Sequence, residues 1–248
     1  MTVTYPMLGR NGRLGNTLFQ VAATAGTALA RGEPWCLPLS ALEPDACPSL
    51  ARFKNLAPYF GDELPEGPTY REPRFAYDPI QPEVVRLHGY FQSSRYWRGH
   101  EDEVRRLLSP GTGTWYPVGQ VAAIHVRRGD YTKLADFHTN LGLDYYKPAM
   151  DLLRLKGFDR FRVFSDDPDF SGRFLQGRDI EIMLMGDQVD DMIQFSACSA
   201  HVIANSSWSW WGAYLGGPGK PVVAPRRWFG PRGPAEWQDL YEEGWEVL

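Results

Sequence analysis

The chain has 248 residues, of which 43% are hydrophobic and 23% are charged, and this is an ordinary globular composition. The length fits one large domain or two domains of about 100–130 residues, and either size can bury a core without disulfides or a structural metal. The formal net charge of −4 argues against a nucleic-acid-binding protein, because such proteins carry a basic surface.

The cysteines and the first residues of the chain indicate the cellular compartment in which the protein is expected. Cys36, Cys47 and Cys198 form an odd set without metal-ligand spacing, which is more typical of a reducing compartment than of a secreted disulfide scaffold. The segment Met1–Tyr5 lacks the basic and apolar regions of a signal peptide, and no run of about 18 apolar residues is available to span a bilayer. We therefore expect a cytoplasmic protein without an integral membrane segment, and leave peripheral attachment to an inner membrane open.

The start of the chain predicts a strand, a glycine-rich turn and a helix. Val3–Tyr5 is short and β-prone, and Gly9–Asn16 is rich in glycine. Apolar residues then recur at helical spacing from Leu18 to Leu29, and Gly32 is suited to end that helix. Residues 33–82 are rich in proline and predict loops with short helices.

A domain boundary is predicted near the middle of the chain. Residues 87–92 predict another strand, and residues 101–108 predict a helix that Pro110 ends. Gly111–Thr114 is the best linker, so we expect an N-terminal domain over residues 1–113 and a C-terminal domain over residues 114–248.

The second half alternates short apolar strands with helices. The predicted strands are Val121–Val126, Phe161–Phe164, Ile180–Leu184, Val202–Ala204 and Val222–Ala224. The predicted helices are Tyr145–Leu155, Asp190–Cys198 and Trp208–Leu215. Such alternation is typical of a parallel sheet, so the sequence predicts the α/β class.

The most informative segment is His125-Val126-Arg127-Arg128-Gly129-Asp130-Tyr131, at the end of the first of these strands. In open α/β sheets ligands bind beyond the carboxyl ends of strands, and an arginine there offers a rigid fork that matches a phosphate. Because side chains alternate along a strand, we expect Arg127 to face the crevice on the same side as His125. Arg128 is then expected to hold the loop through a carboxylate such as Asp130. The alternative is a salt-bridged surface turn without a ligand.

Other strand and loop ends carry polar residues. Ser206 and Ser207 lead into a helix, where they would cap it and where its N–H groups favour a phosphate; capping without a ligand is the alternative. Asp166 and Asp167 follow another strand and could accept hydrogen bonds from a ribose or a base, or simply begin a helix. Gly15 lies in a turn where backbone N–H groups could approach an anion.

A metal site is not predicted. The segment Asp167-Pro168-Asp169 matches the short Asp-x-Asp pattern of some metal-dependent glycosyltransferases, as do looser acidic patterns elsewhere. A pattern this short recurs by chance among 30 acidic residues.

Five segments, in order, resemble motifs of α-1,2-fucosyltransferases of glycosyltransferase family 11. Gly12–Gln20 is similar to G-G-L-G-N-Q-L-F-Q, Gly89–Ser93 to G-Y-[WF]-Q-S, and His125–Tyr131 to the H-x-R-R-x-D motif shared with α-1,6 enzymes. Phe164–Asp167 and the long segment Ile203–Leu215 complete the set. The resemblance extends over nearly the whole chain.

The resemblance implies a GT-B architecture, with two Rossmann-like domains facing across a cleft. It implies an acceptor-side domain over residues 1–113 and a GDP-sugar-binding domain over residues 114–248, and leaves open whether the last helix packs back on the first domain. It implies GDP-fucose as donor, a galactose-terminated glycan as acceptor, inversion at the fucose anomeric carbon, and no metal or other cofactor. A bacterial source is expected, and the oligomeric state stays open.

The resemblance also implies roles for individual residues. At the donor, His125 and Asp191 are expected at guanine, Arg127 at the β-phosphate and Ser207 at a phosphate oxygen, with Ser206 also among the donor-binding residues. Asp166 or Asp167 is expected near ribose or base, and Gly15 and Asn16 near the pyrophosphate and fucose. From its place at the strand end, Arg127 is also expected to assist catalysis, and Asp130 and His138, just beyond the arginine pair, are the candidates for the base. The alternatives are an α-1,6-fucosyltransferase, a transferase of another GDP-sugar, or a non-catalytic GDP-sugar- or glycan-binding protein.

Overall fold

The computed structural model describes residues 1–110 and 119–248 and divides the chain into two compact units. Unit 1 comprises Met1–Gly111 and Glu236–Glu242, and unit 2 comprises Thr112–Ala235 and Glu243–Leu248. The predicted linker Gly111–Thr114 lies outside the described residues, so the domain limits drawn there stay a prediction.

Unit 1 is built on a five-stranded parallel sheet in the order β3-β2-β1-β5-β4. Its strands are β1 (Val3–Thr4), β2 (Trp35–Pro38), β3 (Phe60–Gly61), β4 (Thr69–Arg71) and β5 (Arg86–His88). Its helices are α1 (Leu14–Arg31) and α2 (Glu101–Leu107). Three of the strands, β2 to β4, lie in the proline-rich region where the sequence predicted loops and short helices.

Helix α1 begins earlier than the apolar spacing predicted. Its first backbone hydrogen bond runs from the N–H of Thr17 to the carbonyl of Arg13, so Gly15 and Asn16 lie in its first turn. The predicted end is confirmed, because Gly32 adopts a left-handed conformation with φ of 64° and its N–H closes the last turn.

The strand predicted over residues 87–92 is wrong beyond His88, where β5 ends. Gly89–Gln92 leave the sheet, and the backbone N–H groups of Tyr90 and Phe91 bond to the carboxylate of Glu72 instead of a neighbouring strand. Phe91 has φ of 54°, a conformation outside the β region. An apolar alternation alone does not reveal this diversion.

Unit 2 is built on a six-stranded parallel sheet in the order β11-β10-β9-β6-β7-β8. Its strands are β6 (Val121–Val126), β7 (Arg160–Ser165), β8 (Ile180–Ile182), β9 (Ala200–Val202), β10 (Val222–Ala224) and β11 (Glu246–Val247). Its helices are α3 (Leu143–Leu155), α4 (Pro168–Phe174), α5 (Gln188–Ala197) and α6 (Ser207–Leu215). The predicted α/β class with parallel sheets is therefore confirmed.

The strand and helix predictions of unit 2 agree closely with the structure except at β9. The strand predicted at Val202–Ala204 lies instead at Ala200–Val202, because those residues pair with Ala122–Ile124 of β6. Ala204 and Asn205 already belong to the turn that leads into α6. The short strand β11 was not predicted.

The topology of unit 2 creates a switch point beside β6. From β6 the chain adds β7 and β8 on one side and then β9, β10 and β11 on the other. The crevice beyond the carboxyl ends of β6 and β9 is where open parallel sheets bind ligands.

Side chains of β6 alternate between the two faces of the sheet, as predicted. Ala122, Ile124 and Val126 belong to the buried apolar core that α3 covers. His125 lies on the opposite face, where its ring is 4.8 Å from that of Trp208 and 6.3 Å from that of Phe195.

Candidate functional site

The candidate site of unit 2 lies at the carboxyl ends of β6, β7 and β9. Arg127 directly follows β6, Asp166 directly follows β7, and β9 leads through a short turn to the start of α6 at Ser207. Parallel strands place these ends at one edge of the sheet, so residues distant in sequence become neighbours.

Arg127 is held by two carboxylates. Its Nη1 donates to Asp166 Oδ2 over 2.5 Å, and its Nη2 donates to Asp130 Oδ1. The guanidinium carbon lies 5.0 Å from the ring centroid of Tyr131. With only 17% of its side chain exposed, Arg127 keeps one orientation at the sheet edge.

Arg128 holds the loop through a different carboxylate than predicted. Its Nε donates to Asp167 Oδ2 over 3.2 Å, and its guanidinium carbon lies 4.1 Å from the ring centroid of Phe170. The predicted pairing of Arg128 with Asp130 is wrong, because Asp130 pairs with Arg127 across the intervening turn. Asp167 follows β7, whose register beside β6 brings it to Arg128.

Asp166 anchors the turn that follows β6. Its Oδ1 accepts the N–H of Arg128 over 2.8 Å and the N–H of Gly129 over 3.3 Å. A Cβ at residue 129 would lie 2.6 Å from Asp166 Oδ2, so this close approach requires glycine. Asp167 caps α4 by accepting the N–H of Phe170 over 2.9 Å. The ribose or base contacts expected of Asp166 and Asp167 stay predictions.

His125 is a buried neutral imidazole. Only 4% of the residue is exposed, and its Nδ1 has no hydrogen-bond partner among the described residues. Burial, together with the positive charge of Arg127, lowers the pKa of His125 to about 3. A buried nitrogen without a partner is costly unless a ligand meets it.

Asp191 is a buried carboxylate on α5. Its Oδ2 accepts the N–H of Gly186 over 2.9 Å, and 4% of the residue is exposed. Burial raises the pKa of Asp191, and the neighbouring charges of Asp187 and Asp190 raise it further. The side chain of Asp187 caps α5 by accepting the N–H groups of Val189 and Asp190.

The start of α6 does not use the serine hydroxyl that the sequence suggested. Ser206 is the N-cap residue, but its side chain makes no capping hydrogen bond. The turn before it is held by Asn205, whose buried amide donates to the carbonyls of Thr139 over 2.9 Å and Trp228 over 2.7 Å. The N–H groups of the first turn therefore receive no hydrogen bond from the Ser206 hydroxyl.

His138 lies beside the Arg127 group. Its ring stacks on Tyr131 with centroids 3.9 Å apart, and its backbone pairs with Phe229. Burial lowers the pKa of His138; the charge of Asp130 raises it, and that of Arg127 lowers it. The structure thus brings Arg127, Asp130 and His138 together at one edge of unit 2.

The residues predicted from unit 1 form a separate network. Asn16 accepts a hydrogen bond from Gln92 over 2.9 Å. Gln20 donates to the carbonyls of Asn11 over 3.1 Å and of Gly89 over 3.4 Å. The predicted approach of Gly15 and Asn16 to a ligand stays a prediction.

Glu72 belongs to this network and was missed by the sequence. It directly follows β4, and its carboxylate accepts the N–H of Tyr90 over 2.7 Å and the N–H of Phe91 over 3.0 Å. Burial raises its pKa to about 7. Its position at a strand end is the one signal that would have pointed to it.

Within residues 1–110 and 119–248, no three His, Cys, Asp or Glu side chains form a group that could hold a metal ion. Among the helices described, none is long and apolar enough to cross a bilayer.

Curated proteins with similar sequences are glycosyltransferases. The chain is 34% identical over 116 residues to the O-antigen biosynthesis glycosyltransferase WbnK of Escherichia coli, a match covering 43% of this chain and 38% of that protein. It is 29% identical over 163 residues to an alpha-1,2-colitosyltransferase of Escherichia coli, covering 58% of this chain and 56% of that protein. The chain therefore spans less than two thirds of either relative, 38% of the first and 56% of the second.

Solved structures with similar folds are also glycosyltransferases. The alpha-1,6-fucosyltransferase NodZ, an enzyme of Bradyrhizobium, was crystallised and soaked with GDP-fucose. It superposes with a TM-score of 0.51 at 13% identity, covering 86% of this chain and 92% of that chain. The heptosyltransferase WaaC of E. coli with ADP gives a TM-score of 0.54 at 11% identity, covering 100% of this chain and 93% of that chain.

These likenesses show an α/β fold of GT-B type, as the sequence predicted. A sequence profile described as Glycosyl transferase family 11 matches residues 84–248, more than half of the chain. The chain belongs to glycosyl transferase family 11.

Replacing Glu72 by Gln is expected to change how the stability of unit 1 depends on pH. The pKa of Glu72 rises from 4.5 to about 7 in the folded state, so folding favours the protonated carboxyl. The stabilisation that the protonated carboxyl of Glu72 gives to the folded state is fully present below pH 4.5 and is lost as the pH rises to about 7. The Gln variant should therefore gain stability relative to the wild type over this interval, by roughly 3 kcal/mol at most.

Urea unfolding of both proteins across this pH interval measures the effect. Glu63→Gln, at an exposed position in the same unit, is the matched control and should follow the wild type. Parallel stability curves for the wild type and Glu72→Gln would show that Glu72 does not titrate in this interval.

Proposed function

We propose that the protein transfers L-fucose from GDP-fucose to the 2-hydroxyl of a terminal β-galactoside, with inversion and without a metal ion. The observation that supports this most is the meeting of Arg127, His125 and the start of α6 at the switch point of the unit 2 sheet. In a member of glycosyl transferase family 11, this is where a nucleotide-sugar is expected to bind.

The proposed donor contacts follow from the charge of each group. Arg127 has a fork of N–H donors that suits a phosphate. The first turn of α6 offers backbone N–H groups and the positive end of the helix dipole, and Ser206 and Ser207 lie there. We assign the β-phosphate to these two elements.

The proposed guanine contacts use buried polar atoms. Guanine carries N–H groups that can donate hydrogen bonds to a carboxylate such as that of Asp191, and the neutral ring of His125 offers a nitrogen to a neutral base. The ring centroids of Trp208 and His125 are 4.8 Å apart, and the indole N–H of Trp208 donates to the carbonyl of Gln188 over 2.9 Å. The anchored indole packs against the imidazole and holds its orientation.

The similar proteins support a sugar-nucleotide donor, and they leave both the sugar and the linkage open to alternatives. The colitosyltransferase relative is named for a 1,2 linkage, which agrees with the proposed linkage and makes a colitosyl donor the second candidate. NodZ is named as an α-1,6-fucosyltransferase, and its likeness to this chain is one of fold alone. An α-1,6 linkage and binding without turnover are therefore outcomes that the experiment must separate.

In the proposed reaction the acceptor 2-hydroxyl oxygen attacks C1 of fucose. The bond between C1 and the β-phosphate oxygen breaks, its electron pair leaves with GDP, and the hydroxyl proton goes to a base. Negative charge therefore grows on the phosphate, where Arg127 and the start of α6 would stabilise it. The geometry at C1 is inverted because attack and departure occur on opposite faces.

We assign the base to His138 rather than Asp130. Asp130 already accepts a hydrogen bond from Arg127, so it is better suited to orient the guanidinium than to take a proton. His138 is neutral near pH 7, since burial lowers its pKa from the ordinary value of 6.5. A neutral imidazole is ready to accept a proton.

The direct test is a transfer assay with labelled GDP-fucose and lactose. We expect fucose on the 2-hydroxyl of galactose in α linkage, no comparable transfer from GDP-mannose, and unchanged turnover with excess EDTA. Nuclear magnetic resonance of the product identifies the linkage. Tight GDP binding with no transfer to any galactoside would favour a binding protein, a 1,6 product would favour the alternative linkage, and loss of turnover with EDTA would refute metal independence.

Arg127→Lys is expected to impair turnover nearly as much as Arg127→Ala. A lysine keeps the charge but not the fork, and a charge-assisted hydrogen bond contributes roughly 1.5–3 kcal/mol, so kcat should fall about 10–100-fold. Arg160→Lys, at an exposed position at the start of β7, is the control and should retain wild-type kcat. Near-normal turnover of a folded Arg127→Lys protein would remove Arg127 from this role.

His138→Gln is expected to remove a pH dependence of turnover. In the wild type, kcat should be steady above pH 6.5 and fall as His138 becomes protonated at lower pH, because its pKa lies below 6.5. The variant should turn over slowly without that fall, while binding GDP with wild-type affinity. A wild-type pH–rate profile in the variant would exclude His138 as the base.

A further inference from the structure

Unit 1 contains a cavity of about 520 Å³ that the proposed reaction does not use. It lies between the last turns of α1, the segment from Tyr77 to Pro82 and the turn at Ser94–Trp97. Its volume is in the range typical of small-molecule sites, roughly 300–1,000 Å³. The lining includes Arg31, Arg95 and Arg98 together with Tyr77, Tyr96 and Ile80.

The lining is positively charged. It contains Arg31, Arg95 and Arg98, and the described lining residues include no carboxylate. Arg31 is fixed by the carbonyls of Val84 over 2.7 Å and Gln81 over 2.6 Å, so it contributes charge from a set position. Glu33 lies 3.8 Å from Arg31 and Asp239 pairs with Arg95, so three guanidiniums face two paired carboxylates. The excess of positive charge around the cavity favours an anionic occupant.

Arg95 is oriented by its surroundings without being buried. Its Nη1 donates to Asp239 over 3.1 Å, and its guanidinium carbon lies 4.3 Å from the ring centroid of Tyr77. Asp239 in turn accepts the backbone N–H of Tyr77 over 2.7 Å. Because 43% of the Arg95 side chain remains exposed, the guanidinium is both pre-organised and accessible.

Arg98 is the least constrained of the three arginines. It is exposed and takes part in none of the ion pairs found among the described residues. Glu242, a carboxylate whose pKa is raised by burial, interacts with Arg98 electrostatically. Arg98 is therefore the guanidinium best able to turn toward a ligand.

The remaining wall of the cavity is largely apolar. The rings of Tyr77 and Tyr96 have centroids 4.9 Å apart and are tilted by 58° to each other, and Ile80 and Pro82 continue the surface. Such a wall suits the apolar body of a ligand whose charged group meets the arginines.

This cavity is distinct from the glycine-rich turn that precedes α1. Asn16 lies in the first turn of α1, and Thr27 and Arg31 lie in its last turns. At a rise of about 1.5 Å per residue, these positions are at least about 16 Å from Asn16 along the helix axis. The inference therefore does not rest on the proposed donor contacts.

We propose that this cavity binds a small organic oxyanion, a phosphate ester or carboxylate joined to an apolar body. Arg95 and Arg98 bind the oxyanion, Arg31 adds to the positive field, and Tyr77 and Tyr96 pack against the body. The shared chemistry admits two sources: a charged group on the acceptor itself, or a separate small molecule.

Calorimetric titration with phenyl phosphate tests the binding. We expect Arg98→Gln and Arg95→Gln each to weaken binding about tenfold or more, the loss of one charge-assisted hydrogen bond. The exposed-site control Arg160→Gln should bind as the wild type does. Arg127→Gln removes the guanidinium of the unit 2 site, and a phenyl phosphate site should persist in it.

The proposal is overturned if Arg127→Gln abolishes phenyl phosphate binding while Arg98→Gln leaves it unchanged. It is also overturned if a neutral phenyl glucoside binds the wild type as well as phenyl phosphate does. Arg95→Gln loses the hydrogen bond to Asp239, so its thermal melting temperature is measured to separate misfolding from loss of binding. Arg98 makes no such ion pair within the described part of the chain, so Arg98→Gln tests binding with less risk to the fold.

Once binding is shown, steady-state kinetics distinguish an oxyanion on the acceptor from a separate small-molecule ligand. If the acceptor carries the oxyanion, Arg98→Gln should raise KM for a phosphorylated lactoside and leave KM for lactose unchanged. If the ligand is a separate molecule, phenyl phosphate should change turnover of lactose in the wild type and not in Arg98→Gln. A wild type that transfers to neither acceptor would refute the proposed function and leave the calorimetric result standing.

Discussion

One carboxylate at the end of β7 organises the candidate site of unit 2. Asp166 binds the guanidinium of Arg127 with one oxygen and the N–H groups of Arg128 and Gly129 with the other. This is possible because Val126 of β6 pairs with Ser165 of β7, which brings the two strand ends level. The sheet register thereby fixes the orientation of a long, flexible side chain. A guanidinium whose rotamer is already fixed loses less entropy when it binds an anion.

The same arrangement places negative charge where an anion is proposed to bind. Asp130, Asp166 and Asp167 surround Arg127 and Arg128, so the carboxylates outnumber the guanidiniums in this group. An arginine fork has five N–H donors and can bind a carboxylate along one edge and a phosphate along another. The backbone N–H groups at the start of α6 add positive potential without a countercharge. Keeping His125 neutral avoids a second buried cation beside Arg127.

Much of unit 2 could be predicted because its signals are local. The apolar run Val121–Val126 defines a buried strand, and the general rule for parallel sheets then places Arg127 at the ligand edge. The partner of Arg128 could not be predicted, because Asp167 reaches it through the register of β6 and β7, which the sequence does not state. The position of β9 was missed for a related reason: several apolar residues in a row leave the start of a strand undefined until its neighbour is known.

Unit 1 was harder to predict because its strands are short and because hydrogen bonds from side chains to the backbone hold several of its loops. The hydroxyl of Tyr5 bonds to both the N–H and the carbonyl of Gly89, over 3.1 and 2.7 Å, and Glu72 holds the next two N–H groups. A Cβ at residue 89 would collide with Glu72, so glycine is required there. Within this segment, which resembles a family motif, Gly89 and Phe91 therefore shape the backbone. Gln92 donates a hydrogen bond to Asn16. The motif-like segment Gly89–Ser93 of unit 1 thus reflects a required backbone conformation. The motif-like segment His125–Tyr131 of unit 2 instead reflects charged side chains at the edge of the sheet.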